Sequence, residues 1–145
     1  MIEAIATVVI TAGSVLLFAY WFRYTCLLIL SAKTAHDYAG DLALAKGLRV
    51  VEVQSQLRTD RAVDLVGLHA ALERDYALIQ SLLKGAVAEQ SILEHRVLQI
   101  HYRTNQVWFG ISRSFSATAA RQALEEMSLV VAHFANVAGE VAAAS

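Results

Sequence analysis

Residues Ala4 to Phe22 read AIATVVITAGSVLLFAYWF, 19 positions without one charged side chain. At the rise of an α-helix that length spans about 28 Å, close to the hydrocarbon thickness of a bilayer. Tyr20, Trp21 and Phe22 close the stretch, and Arg23 and Tyr24 follow at once. Amphipathic rings and a cation are what the membrane–water interface favours. The sequence therefore opens on a single transmembrane anchor.

The anchor differs from a cleaved signal. A signal peptide starts with positive charge, has a shorter apolar core and ends at small residues. Here Met1-Ile2-Glu3 is acidic, and bulky Trp21-Phe22-Arg23 stands where cleavage would fall. No basic residue precedes the segment, whereas Arg23, Lys33, Lys46 and Arg49 follow it. The positive-inside rule then places the N-terminus outside and the rest of the chain in the cytoplasm, across a plasma (inner) membrane. A further apolar run, Tyr24 to Leu30, lies beyond Arg23. Two placements fit it. Either the bilayer ends at the aromatic cluster and Leu27, Leu28 and Leu30 are left to meet a partner, or the span shifts toward Leu30 and Arg23 snorkels or pairs within the membrane.

Composition bounds what the chain can do. The 145 residues, less the anchor, suffice for one compact domain and not for two. The apolar fraction is 57%, above the roughly 45–50% of ordinary soluble domains. With 12 Lys+Arg against 13 Asp+Glu and no run of like charge, the basic stripe that nucleic-acid binding needs is missing. One cysteine, Cys26, cannot close an intramolecular disulfide.

Proline is absent and alternating strand patterns are missing, so the expected fold is all-α. Residues 1–31 form the anchor helix with its interfacial extension. Residues 32–58 read as a helix–break–helix connector. Tyr38, Leu42 and Ala45 keep helical spacing, Gly47 interrupts it, and Val50, Val53 and Leu57 resume it. Residues 59–145 read as an up-down-up bundle, making an antiparallel three- to four-helix bundle with the connector. Its first helix starts at Thr59 or Asp60 and presents Leu65, Leu68, Leu72, Tyr76, Ile79 and Leu83 until Lys84-Gly85. The second presents Leu93, Val97, Ile100, Val107 and Ile111, and Ser114-Phe115-Ser116 caps the third. That last helix shows Ala120, Leu124, Met127, Val131, Phe134, Val137 and Val141. Its charge-free stretch, Met127 to Gly139, is only 13 residues long, so it reads as a core helix and not a second span. Gly40, Gly47, Gly85 and Gly110 are placed at helix ends or bends.

Candidate chemistry is sparse. His69 and Glu73 share a helix face and form a weak candidate metal pair, but the Glu-x-x-His spacing of bundle di-metal sites is missing. His133, beside the apolar stripe of the last helix, is a second weak candidate. His101 and Trp108, seven residues apart, mark a face that could dock a partner. The segments Leu72 to Tyr76 and Arg121 to Glu125 read as solvated faces with i,i+4 pairs. No phosphate loop, nucleophile elbow or Cys-x-x-Cys occurs in the sequence.

The expectation is a non-catalytic, single-pass, membrane-anchored protein, without cofactor or metal. It acts as an accessory or scaffold subunit whose partners are the lipid bilayer and another protein or a second copy. Thr7, Thr11 and Ser14, with Ala12 and Gly13, offer small residues for helix–helix contact in the anchor. The alternative is a membrane-tethered bundle that binds a metal or cofactor for electron handling or sensing.

Overall fold

The computed structural model describes residues 1–31, 38–59, 64–84 and 92–144, without the side chains of residues 38, 39, 41, 143 and 144. The described residues are all-helical: α1 (Ile2–Ser31), α2 (Tyr38–Lys46), α3 (Val50–Thr59), α4 (Leu65–Leu83), α5 (Ile92–Ser112) and α6 (Ala117–Ala144). The chain divides into two compact units, Met1–Ala32 and Lys33–Ser145.

α1 is 30 residues long and apolar enough to cross a membrane. Ile2, Ile5, Val8, Val9, Ile10, Leu16 and Phe18 all stand exposed along it, an arrangement that water disfavours and lipid favours. Its hydroxyls are answered by the helix itself. Thr7 Oγ1 donates to the Glu3 carbonyl at 2.8 Å, and Thr25 Oγ1 to the Trp21 carbonyl at 2.9 Å, so neither needs water. Near the far end the aromatic rings stack on one another, Phe18 on Phe22 and Tyr20 on Tyr24.

In the second unit α6 is the central helix, touching α2, α3, α4 and α5. Ala120, Ala123, Leu124, Met127, Val130, Val131, Phe134, Ala135 and Ala138 are all buried on it. Alanines at both ends flank the larger Leu124, Met127 and Phe134, and such small residues let neighbouring helices approach closely. Its charge-free stretch is thus spent on the core. Ser116 caps its start, the Ser116 Oγ accepting the Ala119 amide at 3.2 Å.

Gly47 separates α2 from α3 with a φ of +67°. The Leu48 amide reaches back to the Ala43 carbonyl at 3.0 Å, and Ala43 and Leu48 are both buried. That combination of left-handed glycine, back-bond and apolar contact is a Schellman ending. Gly40 and Gly110 lie inside helices instead of ending them, and Gly85 lies outside the described residues. The start of α4 also departs from the expected one. Thr59 is the last residue of α3 and donates to the Ser55 carbonyl, because α3 runs on to bury Leu57. Asp60 lies outside the described residues, and Asp64 takes the N-cap position without a capping hydrogen bond.

α4 buries Leu68, Ala71, Leu72, Asp75, Ile79 and Leu83, one face at spacings of three and four. The unexpected member is Asp75, only 2% exposed. Its Oδ2 accepts the Arg49 amide at 2.7 Å, and the Val50 amide also bonds to it. Arg49 is the residue whose carbonyl accepts the first bond of α3, from Val53. Asp75 is therefore a cap supplied from another helix, fastening the start of α3 to α4.

α5 reverses the expected orientation. Leu93, Ile100, Val107 and Ile111 are 74%, 54%, 63% and 52% exposed. The buried face carries Leu98, His101, Tyr102, Asn105, Phe109 and Ser112. The physical reason is what surrounds it. Glu73 on α4 and Glu126 on α6 offer partners for Tyr102 and His101, and the two large rings bury more area than Ile or Val could.

Two substitutions test these junctions. Gly47→Ala is expected to cost about 1–2 kcal/mol through the left-handed backbone alone. Asp75→Ala, which leaves the Arg49 and Val50 amides at the start of α3 without their acceptor, is expected to cost about 1–3 kcal/mol, with Asp75→Asn nearer the parent. Equilibrium unfolding in mild detergent, followed by far-ultraviolet circular dichroism, measures both.

Candidate functional site

The polar side chains of the interior gather along the seam where α5 faces α4 and α6. Among the described residues no Cα of α4 comes within 8 Å of one on α5, so side chains bridge the gap. His69 stacks on Phe109, ring centroids 4.6 Å apart. Tyr102 donates its hydroxyl to Glu73 Oε1 at 2.8 Å and lies flat on Tyr76 at 3.9 Å. Gln80 Oε1 meets His95 at 3.0 Å and accepts from Gln99 at 2.8 Å. Numbers rise on α4 as they fall on α5, so the two helices run in opposite directions.

The other side of α5 meets α6 in the same sense. His101 Nε2 is 3.5 Å from Glu126 Oε2, and His133 Nε2 is 3.4 Å from Glu94 Oε1. The His95 ring lies 4.6 Å from Phe134. Asn105 Nδ2 donates to the His101 carbonyl at 3.0 Å within α5.

Burial governs the electrostatics. It holds the His69, His95 and His133 imidazoles below the usual histidine range, outweighing the pull of Glu73 on His69 and of Glu94 on His133. His133 adds to the effect at His95. Burial also raises the Tyr76 phenol, and burial with the Glu73 hydrogen bond raises the Tyr102 phenol steeply. Burial lifts the Asp75 carboxyl above its ordinary value against the Arg49 and Val50 amides. Nε2 of His69 is buried without a hydrogen bond, 3.7 Å from Glu73 Oε1. These groups are arranged to hold neutral rings against one another.

The weak metal candidates fall into two places. His69 and Glu73 belong to the α4–α5 rungs, whereas His133 meets Glu94 across α5 and α6. Among the described residues no three His, Cys, Asp or Glu side chains converge as a metal site. His101 and Trp108 do not share a surface: His101 is 4% exposed and Trp108 is 44% exposed, with its ring edge-on to Phe115. Tyr20, Trp21, Phe22, Arg23 and Tyr24 lie together on α1, as do Leu27, Leu28 and Leu30 in its last turns. A shallow groove runs beside α3, lined by Gln54, Leu57, Arg58, Glu125, Ser128 and Leu129.

The segment from Leu72 to Tyr76 was expected to be solvated, and the structure places Asp75 and much of Glu73 and Tyr76 inside. A signal for this was available. His95, Tyr102 and Phe109 repeat every seven residues, as do His69 with Tyr76 and Glu73 with Gln80. Such a repeat of aromatic and amide side chains marks a helix–helix contact that hydrophobicity alone does not.

No protein-family model, curated protein or solved structure matches the chain.

The seam makes stability depend on pH. Where a histidine's pKa is lower folded than unfolded, the unfolded chain takes up the proton first. Stability is thus level above the unfolded value near 6.5 and falls as pH drops below it. Asp75, raised in the folded state, acts in the opposite sense at lower pH. Melting temperature is expected to fall between pH 7.5 and 5.5 as the unfolded chain takes up protons that the folded rings resist, and the fall is expected to shrink in a His95→Gln, His133→Gln double variant.

Proposed function

We propose that the protein is a non-catalytic, single-pass, membrane-anchored helical-bundle protein, an accessory or scaffold subunit of a membrane-associated assembly or homo-oligomer. α1 is the anchor and the helices of the second unit are the bundle it carries. The N-terminus lies outside a plasma (inner) membrane and the bundle lies in the cytoplasm, by the distribution of Arg23, Lys33, Lys46 and Arg49 after the span.

The observation that carries the reading is the exposed apolar length of α1. Two others support the non-catalytic part. The interior histidines, tyrosines and carboxylates are committed to one another across the helix seam, and Leu93, Ile100, Val107, Trp108 and Ile111 of α5 face outward. Groups spent on holding helices together suit a platform better than a reaction centre.

Native mass spectrometry of the full chain released in mild detergent tests the reading. The expected result is a defined oligomer or a stoichiometric complex with another subunit. A strictly monomeric chain that co-purifies with nothing would sink it.

A further inference from the structure

The outward face of α5 has a regular construction. Leu93, Val97, Ile100, Thr104, Val107 and Ile111 follow one another at spacings of four, three, four, three and four. At the turn angle of an α-helix they fall within about 80°, and Trp108 widens the arc to about 100°. Leu98, Tyr102 and Phe109 are buried on the opposite side, so the stripe points away from the core. Trp108 and Phe115 stand edge-on at 5.9 Å at its end, and Phe115 is 65% exposed.

Charge borders the stripe unevenly. Arg96 and Arg103, seven apart, are exposed along one margin. The acidic residue of the other margin, Glu94, is engaged by His133. An apolar band with aromatic residues and a cationic margin has the chemistry of a helix lying in the headgroup region of an anionic bilayer. We infer that this face of α5 docks on the anionic leaflet surface. Its apolar side chains enter the headgroup–acyl boundary while Arg96 and Arg103 reach lipid phosphates. The inference rests on reading α1 as the membrane anchor, which keeps the second unit close to that surface, so that weak intrinsic docking suffices.

A second copy fits the face less well. Antiparallel pairing that matches all six stripe positions would set Arg103 beside its own counterpart, a like-charge meeting that costs stability. The lipid surface instead complements both arginines at once.

The chain's two tryptophans, Trp21 in α1 and Trp108 in α5, separate the two claims. Full-length protein is reconstituted in vesicles whose lipids carry bromine high on the acyl chains, of phosphatidylcholine alone or enriched in phosphatidylserine. In Trp21→Phe, Trp108 is expected to be quenched and blue-shifted in the anionic vesicles and released by high salt. Removing each arginine, in Arg96→Gln and Arg103→Gln, is expected to lower the ratio of docked to undocked protein about five-fold. In Trp108→Phe, quenching of Trp21 in both vesicle types reports the anchor. Quenched Trp21 with unquenched, solvent-like Trp108 overturns the docking and leaves the anchor standing. Unquenched Trp21 overturns the anchor and the docking with it. Disulfide-linked dimers of Ile100→Cys in a Cys26→Ser background, with Trp108 unquenched, overturn the docking by assigning the face to a second copy.

Discussion

The second unit depends on a gap that backbones do not close. α4 and α5 stay too far apart for small apolar residues to fill the space, so long side chains bridge it: His69 to Phe109, Tyr102 to Glu73 and Tyr76, Gln80 to His95 and Gln99. Each rung is aromatic, hydrogen-bonding or both. A rung of this kind has a required partner at a required height, whereas a Leu–Leu contact tolerates sliding. The hydrogen bond from Tyr102 to Glu73 favours one register, because a shift of one turn would leave the buried Tyr102 hydroxyl without its acceptor.

From that seam the rest of the unit follows. Turning Tyr102 and Phe109 inward also turns His101 toward Glu126 and His95 toward Phe134 on α6. α6 then answers α3, with Arg121 donating to the Leu57 carbonyl and Gln54 to the Ser128 carbonyl at 3.4 Å. The Arg121 guanidinium sits where the carbonyl end of α3 is negative, and Asp75 sits where its amide end is positive. α3 is only 10 residues long, too short to be stable alone. Its two ends are held by opposite charges from two different helices, which compensates for that shortness.

Much of this was legible in the residues, and the failures share one cause. The charge-free run to Phe22, the absence of proline, the interruption at Gly47 and the Ser116 cap are each local signals, and each has a local structural consequence. The buried faces of α4 and α6 follow apolar spacing because those helices bury apolar residues. α5 does not. Its sequence holds two stripes, Leu93 to Ile111 and His95 to Phe109, and periodicity cannot rank one above the other without knowing what the neighbours offer. Asp75 was misread for the same reason, since its partner is a helix end 26 residues earlier in the chain.

Two stripes on one helix also explain the composition. An apolar fraction of 57% is more than a unit this small can hide, because surface grows relative to volume as domains shrink. α1 accounts for one share of the excess and the outer face of α5 for another. The interior of α5, conversely, is polar by the standard of a core: His101, Asn105 and Ser112 are buried there. A helix that buries these polar residues beside Leu98, Tyr102 and Phe109 and leaves an aliphatic stripe outside departs from the pattern of a water-soluble amphipathic helix. Such a helix is favoured where the inside is partnered and the outside is shielded from water. The seam meets the first condition, apart from isolated atoms such as His69 Nε2. The second makes the surroundings of the outer face of α5 part of the energetics of the unit.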